Sequence, residues 1–323
     1  MPLINRNRRL ACTALVLSSL ALGARADDAK PLEWVVGYAA GGGSDVLART
    51  VAEPMGRVLG RPIIVNNKPG AATNIAADYV ARSKDYGNVL FTADFATLAA
   101  NPFLFTKLTY NAEKDFVPVG LLARFPLVLV AAPNVPVNNF KEFLAYAQKT
   151  PGLTYASAGA GSPHHLAGEL LRERTGLKLT HVPYRGAAPA VQDLAGGQVP
   201  FGIMDTASVQ QYLASGKVKA LGVASLQRLK TLPEIPTLAE QGLKGFEAFA
   251  WQGLAVPAAT PPAVVERLSK ALQAALDATP VKARFQALGI EPMPGTPAQM
   301  AAFAKAERER WGKLIRDNGI RLD

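Results

Sequence analysis

Short β-rich runs alternate with helical patterns along most of this chain, and no other feature restricts the fold as strongly. Residues 33–36, 62–66 and 89–93 read as strands. Residues 45–59 between them read as a helix, with Leu47, Val51, Met55 and Val58 on one face. Pro54 is expected to kink that helix or shift its register. Residues 67–70 form a turn and 73–81 a second helix. The pattern resumes with strand 127–132 and helix 140–149. Strand 154–157, helix 165–175, strand 179–183, helix 189–195, strand 199–204, helix 208–215 and strand 220–224 follow. Three helical stretches end the chain, at 262–277, 281–288 and 297–318. Phe249 and Trp251 fall where a strand would return through a hinge. Strands alternating with helices imply βαβ units, an α/β class and mostly parallel, doubly wound sheets.

Two connections between a strand and a helix are rich in glycine. The first holds Gly37, Tyr38, Ala39, Ala40, Gly41, Gly42, Gly43, Ser44 and Asp45. The second holds Ser157, Ala158, Gly159, Ala160, Gly161, Ser162, Pro163, His164 and His165. A glycine turn opening a helix aims unpaired backbone N–H groups outward at the positive end of the helix dipole. Two such loops about a hundred residues apart suggest two lobes closing on one acidic ligand. Both loops would then lie at carboxyl ends of strands, where open α/β sheets bind ligands.

The start of the chain reads as an export signal. Arg6, Arg8 and Arg9 precede an apolar run over 11–22, and Ala24-Arg25-Ala26 presents small residues for cleavage before Asp27. The run is shorter than the roughly 18 apolar residues a spanning helix needs. Cys12, the one cysteine of the sequence, falls in that run, so the mature protein would have neither disulfide nor thiolate chemistry. The implied location is the periplasm of a bacterial-type cell. Removing the signal lowers the formal charge from +10 to +6, with 31 basic against 25 acidic side chains. The basic residues are scattered, which argues against a nucleic-acid partner.

Enzyme signatures are sparse. The sequence holds no G-x-S-x-G elbow, no G-x-x-x-x-G-K-[ST] phosphate loop and no H-E-x-x-H. Gly159-Ala160-Gly161 opens like a dinucleotide fingerprint, but His164 stands where its third glycine belongs. A Ser162/His165/Asp205 triad would crowd nucleophile and base into one helical turn. His164, His165 and His181 are too few and too badly spaced to predict a metal site. No cofactor is expected.

Seven short segments, in order, give a more specific reading. They are the first loop ending in Asp45, residues 66–71 (NNKPGA), 151–157 (PGLTYAS), 161–166 (GSPHHL), 181–186 (HVPYRG), 194–199 (LAGGQV) and 251–257 (WQGLAVP). Together they resemble the Bug-type receptors of tripartite tricarboxylate transporters. Gly37 stands where those proteins usually have proline. Asp85-Tyr86-Gly87-Asn88 replaces their usual Pro-Asp-Gly-Tyr-Thr, beside a strand expected to enter the cleft.

The resemblance implies a two-lobed flytrap in which backbone amides of the two loops hold ligand carboxylates. It implies lobe 1 over 27–125 plus 250–323, lobe 2 over 126–249, and a hinge of two crossings. It implies capture of a carboxylate-containing metabolite by a monomer, without chemistry, for delivery to membrane permease subunits. Solute sensing for a signalling partner is the alternative. Carboxylate-ester hydrolysis is a weaker one.

The expected ligand-binding residues are Tyr38, Ala40, Gly41, Gly42, Gly43, Ser44, Asp45, Asp94, Ser157, Ala160, Gly161, Ser162, His165, Tyr184 and Asp205. Several carry two readings. Tyr38 either faces the ligand or ends a strand in the core. Ser44 and Asp45 suit a helix N-cap, and like-charge repulsion favours capping for Asp45. Asp94 and Asp205 end strands, where each either meets a ligand donor or caps the next helix. For Asp205 the ligand is preferred. Arg185, beside Tyr184, either meets an anion or lies exposed. The family motif selects His165 over His164.

Overall fold

The computed structural model describes residues 30–323. The predicted export signal, its cleavage point and Cys12 lie outside them. Ten strands and ten α-helices follow one another along the described residues. The order is β1 (Leu32–Val36), α1 (Gly43–Leu59), β2 (Ile63–Asn67), α2 (Asn74–Ala81), β3 (Val89–Asp94), α3 (Asn101–Leu104), β4 (Phe116–Ala131), α4 (Phe140–Lys149), β5 (Leu153–Ser157) and α5 (Pro163–Thr175). It continues with β6 (Leu179–Pro183), α6 (Ala187–Ala195), β7 (Phe201–Asp205), α7 (Thr206–Ala214), β8 (Lys219–Val223), β9 (Phe249–Pro257), α8 (Pro262–Asp277), α9 (Thr279–Ala287), β10 (Glu291–Gly295) and α10 (Pro297–Asp317). A 3₁₀ turn at Ala71–Thr73 leads into α2, and a π-helical turn at Ala96–Ala100 leads into α3.

The sheet order is β2-β1-β3-β9-β4-β7-β5-β6, with β10 and β8 also paired to β4. The predicted βαβ units supply the parallel pairs, β1 with β2 and β3, and β5 with β6 and β7. Every pairing of β4 and β9 is antiparallel. β4 is the joint between two sheets. Its first part, Phe116–Pro126, pairs with β9, and its last part, Leu127–Ala131, lies between β7 and β8. The sequence reading found only this last part. Pro118, Gly120 and Pro126 break the β pattern, and register shifts near Pro118–Gly120 and Leu121–Ala123 accommodate the irregular run.

Helices cover both faces of each sheet. Leu47, Val51 and Met55 of α1 pack with Leu268, Leu272 and Phe285 of α8 and α9 on one side of the first sheet. Val58, predicted on that face, is instead 56% exposed. It closes the last turn of α1 beside Glu266, Arg267 and Lys270 of α8, whose apolar side chains in that groove are the small Ala263 and Ala271. α1 runs unbroken through Pro54. On the opposite side, one core passes without interruption from Phe95, Trp251 and Trp311 to Phe140, Leu166, Leu171 and Phe201 of the second sheet. Val191, Leu194 and Val209 of α6 and α7 bury the remaining face. Trp251 and Phe249 lie in β9, as expected of a returning strand.

The turn before α2 is strained. Ala71, Ala72 and Thr73 all have positive φ, at 47°, 51° and 75°, and each such L-residue costs about 1–2 kcal/mol. Asn101 holds it by donating from Nδ2 to the Ala72 carbonyl at 2.7 Å. The Thr73 and Thr97 hydroxyls meet at 2.9 Å. Replacing Ala72 with glycine relieves one left-handed residue while adding about 0.4–1 kcal/mol of unfolded-chain entropy. Ala72→Gly should therefore raise stability slightly, by about 0.5 kcal/mol from the difference of those terms. A urea melt checks this, and a loss of stability would contradict the strain.

Candidate ligand cleft

Strand directions bring the carboxyl ends of the two sheets face to face. β3 is antiparallel to β9 and β9 to β4, so β3 points along β4; β7 points against it. Asp94, the last residue of β3, is in register with Gln252, and Gln252 with Ala123 of β4. Asp205, the last residue of β7, is in register with Leu127. Four residue steps of β4, from Ala123 to Leu127, separate the two levels, about 13 Å along a strand. The first loop leaves β1 on the near side of this gap, and the second leaves β5 on the far side. The Asp85–Asn88 departure lies at the opposite end of β3, away from the gap, where Asp85 pairs with Lys30 and Asn88. It thus has no part in the cleft the sequence reading attached it to.

The two loops share one construction. Gly41 (φ 81°) donates its N–H to Asp45 Oδ2 at 2.9 Å, and Gly161 (φ 75°) donates to His165 Nδ1 at 3.0 Å. In both, a glycine in left-handed backbone is clamped by the side chain four residues on, at the third position of the helix. The N-caps are Gly42 and Ser162. Ser44 and His164 occupy the same second position of α1 and α5.

In the first loop the expected capping role of Ser44 and Asp45 is replaced. Gly42 is the cap, without a side-chain bond, and Asp45 reaches back to the loop. Burial alone would raise the Asp45 pKa, but Arg49, the Gly41 N–H and Asn67 outweigh it and hold it low. Its charge is balanced by Arg49 at 3.0 Å. The N–H groups of Gly43, Ser44 and Asp45 have no acceptor among the described residues. Ala40, Gly41 and Gly42 are exposed. The Ser44 hydroxyl meets Gln252 Nε2. The Tyr38 hydroxyl donates to Asp94 Oδ2, and Asp94 Oδ1 accepts the Thr97 N–H at 2.9 Å. Asp94 thus caps the π-helical turn as well as facing Tyr38. Burial raises the pKa of both, and for Tyr38 the Asp94 charge adds to it.

In the second loop, two of the amides expected to hold an anion are spent internally. Gly161 N–H goes to His165, and Ser162 N–H to the Gly159 carbonyl at 3.2 Å. The N–H groups of Ala160 and His164 have no acceptor among the described residues. Ser157 is fully buried and serves the loop itself, with Oγ 2.5 Å from His181 Nε2 and 3.1 Å from both Gly159 N and O. The His165 and His181 rings stack at 3.9 Å, so His165 supports the loop from beneath. Tyr184 donates its hydroxyl to Asp193 at 2.7 Å, and Arg185 is exposed.

Asp205 departs from the ligand role favoured for it. It is the N-cap of α7, accepting from Ser208 N–H and hydroxyl at 2.9 Å, and its other oxygen lies 3.1 Å from His164 Nε2. The imagined triad is not assembled, because Ser162 Oγ bonds to Gly159 O and Asp205 pairs with His164 rather than His165. No group of three or more His, Cys, Asp or Glu among the described residues could hold a metal ion.

The sequence reading missed Gln252, Thr73, Thr97 and the placement of His164. The motif WQGLAVP contained Gln252, but nothing in its pattern said which face of β9 it would take.

The stacked histidines give a pH signature. Burial first, then the His165 ring, pull the His181 pKa down from 6.5 to about 3; burial also lowers that of His165. The unfolded chain therefore binds these protons first, and stability falls as pH drops from about 6.5 towards 3. His181→Phe keeps a ring under His165 and removes one titration. Its urea midpoint should change less steeply with pH between 6 and 4 than that of the native chain. Equal slopes would refute the burial of a neutral His181.

Residues 47–320 match the tripartite tricarboxylate transporter family receptor. A Pseudomonas sp. (strain P51) relative, the UPF0065 protein in the tcbD-tcbE intergenic region, is 39% identical over 317 residues, covering 97% of this chain and 94% of its own. The periplasmic binding protein BugD superposes with a TM-score of 0.83 at 37% identity, over 90% of this chain and 99% of its own. R. palustris Rpa4515 with adipate gives 0.86 at 32%, over 90% and 98%. MatC from Rhodopseudomonas palustris with bound malate gives 0.81 at 36%, over 88% and 98%. With this match across most of its length, facing sheets and paired glycine loops, the chain belongs to the tripartite tricarboxylate transporter receptor family, a family of periplasmic solute-binding proteins.

Proposed function

We propose that this protein captures a small organic acid between two lobes, residues 27–125 plus 250–323 and residues 126–249, and delivers it unchanged to membrane permease subunits. The observation that carries this reading is the set of unpaired N–H groups at the two loops: Gly43, Ser44 and Asp45 on one side, Ala160 and His164 on the other. A carboxylate leaving water needs such donors, because burying it without partners is costly. Each helix terminus adds about 0.3–1 kcal/mol, and up to about 2 when partly buried. Two relatives are described with bound adipate and malate, both small organic acids. Closure is a population shift driven by contacts made to both lobes. Contacts already span the halves: Thr206 Oγ1 donates to the Gly289 carbonyl at 2.6 Å, Asn318 Nδ2 to Glu173 at 3.0 Å, and Arg310 to the Glu247 carbonyl.

A thermal-shift screen of mono-, di- and tricarboxylates should find acids that raise the melting temperature and are recovered intact. Gly43→Val places a branched side chain beside Phe125, 3.5 Å from the new Cβ, over the first free amide. Affinity should fall at least about tenfold, the value of one lost charge-assisted hydrogen bond, with the circular dichroism unchanged. Native affinity in that variant would remove the first loop from the site. Export with cleavage after Ala26 would put Asp27 at the mature N-terminus, which an intact mass of periplasmic protein reads directly.

A further inference from the structure

Two buried acceptor atoms at the cleft have no hydrogen-bond partner: His164 Nδ1 and Gln252 Oε1. His164 is 7% exposed and Gln252 5%. They sit in related places. Gln252 Nε2 donates to Ser44, the second residue of α1, which leaves Oε1 open. His164 is the second residue of α5, and its Nε2 faces Asp205. Burial would raise the pKa of Asp205, yet the bonds from His164 and Ser208 more than offset it and keep the carboxylate ionised. An ionised carboxylate only accepts, so it selects the tautomer with the hydrogen on Nε2, and in that tautomer of the neutral ring Nδ1 presents a lone pair.

A buried acceptor left empty is costly, and a site containing one rejects a ligand that cannot fill it. A plain dicarboxylate offers only acceptors to the cleft. Its carboxylates suit the loop amides, but nothing in it suits His164 Nδ1 or Gln252 Oε1. We propose that the captured acid also carries a hydroxyl or amide N–H, and that His164 Nδ1, oriented by Asp205, is the atom that recognises this donor. The inference rests on the carboxylate-capture reading and narrows its ligand class. It also moves the ligand-reading histidine from His165, which is committed to Gly161, to its neighbour.

The test uses acid pairs that differ by one hydroxyl: malate against succinate, and 2-hydroxyglutarate against glutarate. Calorimetric titration of the native protein should show the hydroxylated member binding about tenfold tighter or more, as expected for one buried acceptor filled or left empty. His164→Phe, which removes the acceptor together with the Asp205 partner, should reduce that preference to less than about twofold, read as the ratio of the two affinities within the variant. His164→Asn, which keeps an acceptor at the δ1 position, should restore it. Two results overturn the inference while leaving acid capture standing. One is equal binding of both members of each pair. The other is a preference that survives in His164→Phe. If acids of both kinds bind equally but tighten as pH falls, His164 acts as a charged donor and the inference fails in that form. If none of the four acids binds, the capture of such acids falls, and this inference with it.

Discussion

A carboxylate taken out of water must find donors, and the donors this cleft leaves unpaired are backbone amides of its two glycine loops. Arg49, beside the first loop, is occupied by Asp45. Backbone amides can hold an anion only if the loop presenting them does not collapse onto itself. Both loops solve this in the same way, with a side chain at the third helical position fixing the glycine before the cap. The chemistry of the clamp differs between them. A carboxylate balanced by arginine serves in one lobe, and a neutral imidazole stacked on a second imidazole in the other. The shape of each loop, and with it the direction of its free amides, thus depends on groups lying beneath it.

The alternation of strands and helices, the two loops and the family were legible in the sequence because each depends on local periodicity or on glycine placement. What escaped depends on distant partners. β4 was half seen, since its prolines are tolerated only where bulges accommodate them. β10, Glu-Pro-Met-Pro-Gly, is readable as a strand only after one knows that it pairs with β4 alone and lies at an edge. Asp45 and Asp205 were each given two roles, and the choice between them turned on Gly41 and His164, which no spacing rule singles out. The His164-His165 pair is the sharpest case. Identical side chains one position apart point about 100° apart on a helix, and one fell under the loop while the other met Asp205.

The strained turn at Ala71–Thr73 shows how the first lobe tolerates an unusual sequence. Thr73 presses so closely on Gly37 that a Cβ there would lie 2.8 Å from the threonine Cβ. Gly37 and Thr73 are therefore coupled, and the glycine has a steric reason. Through Thr97 the same contact reaches Asp94 and Tyr38 at the mouth of the cleft.

β4 belongs to both sheets without a break, flanked by β9 and β10 on one side of Pro126 and by β7 and β8 on the other. A ribbon hydrogen-bonded along both edges at each end resists sliding, because any slip would break a whole ladder at once. It bends far more cheaply, like a leaf spring clamped at its ends. In the proposed closure the lobes swing about the middle of this ribbon and cannot shear past each other, so opposing groups return to the same alignment.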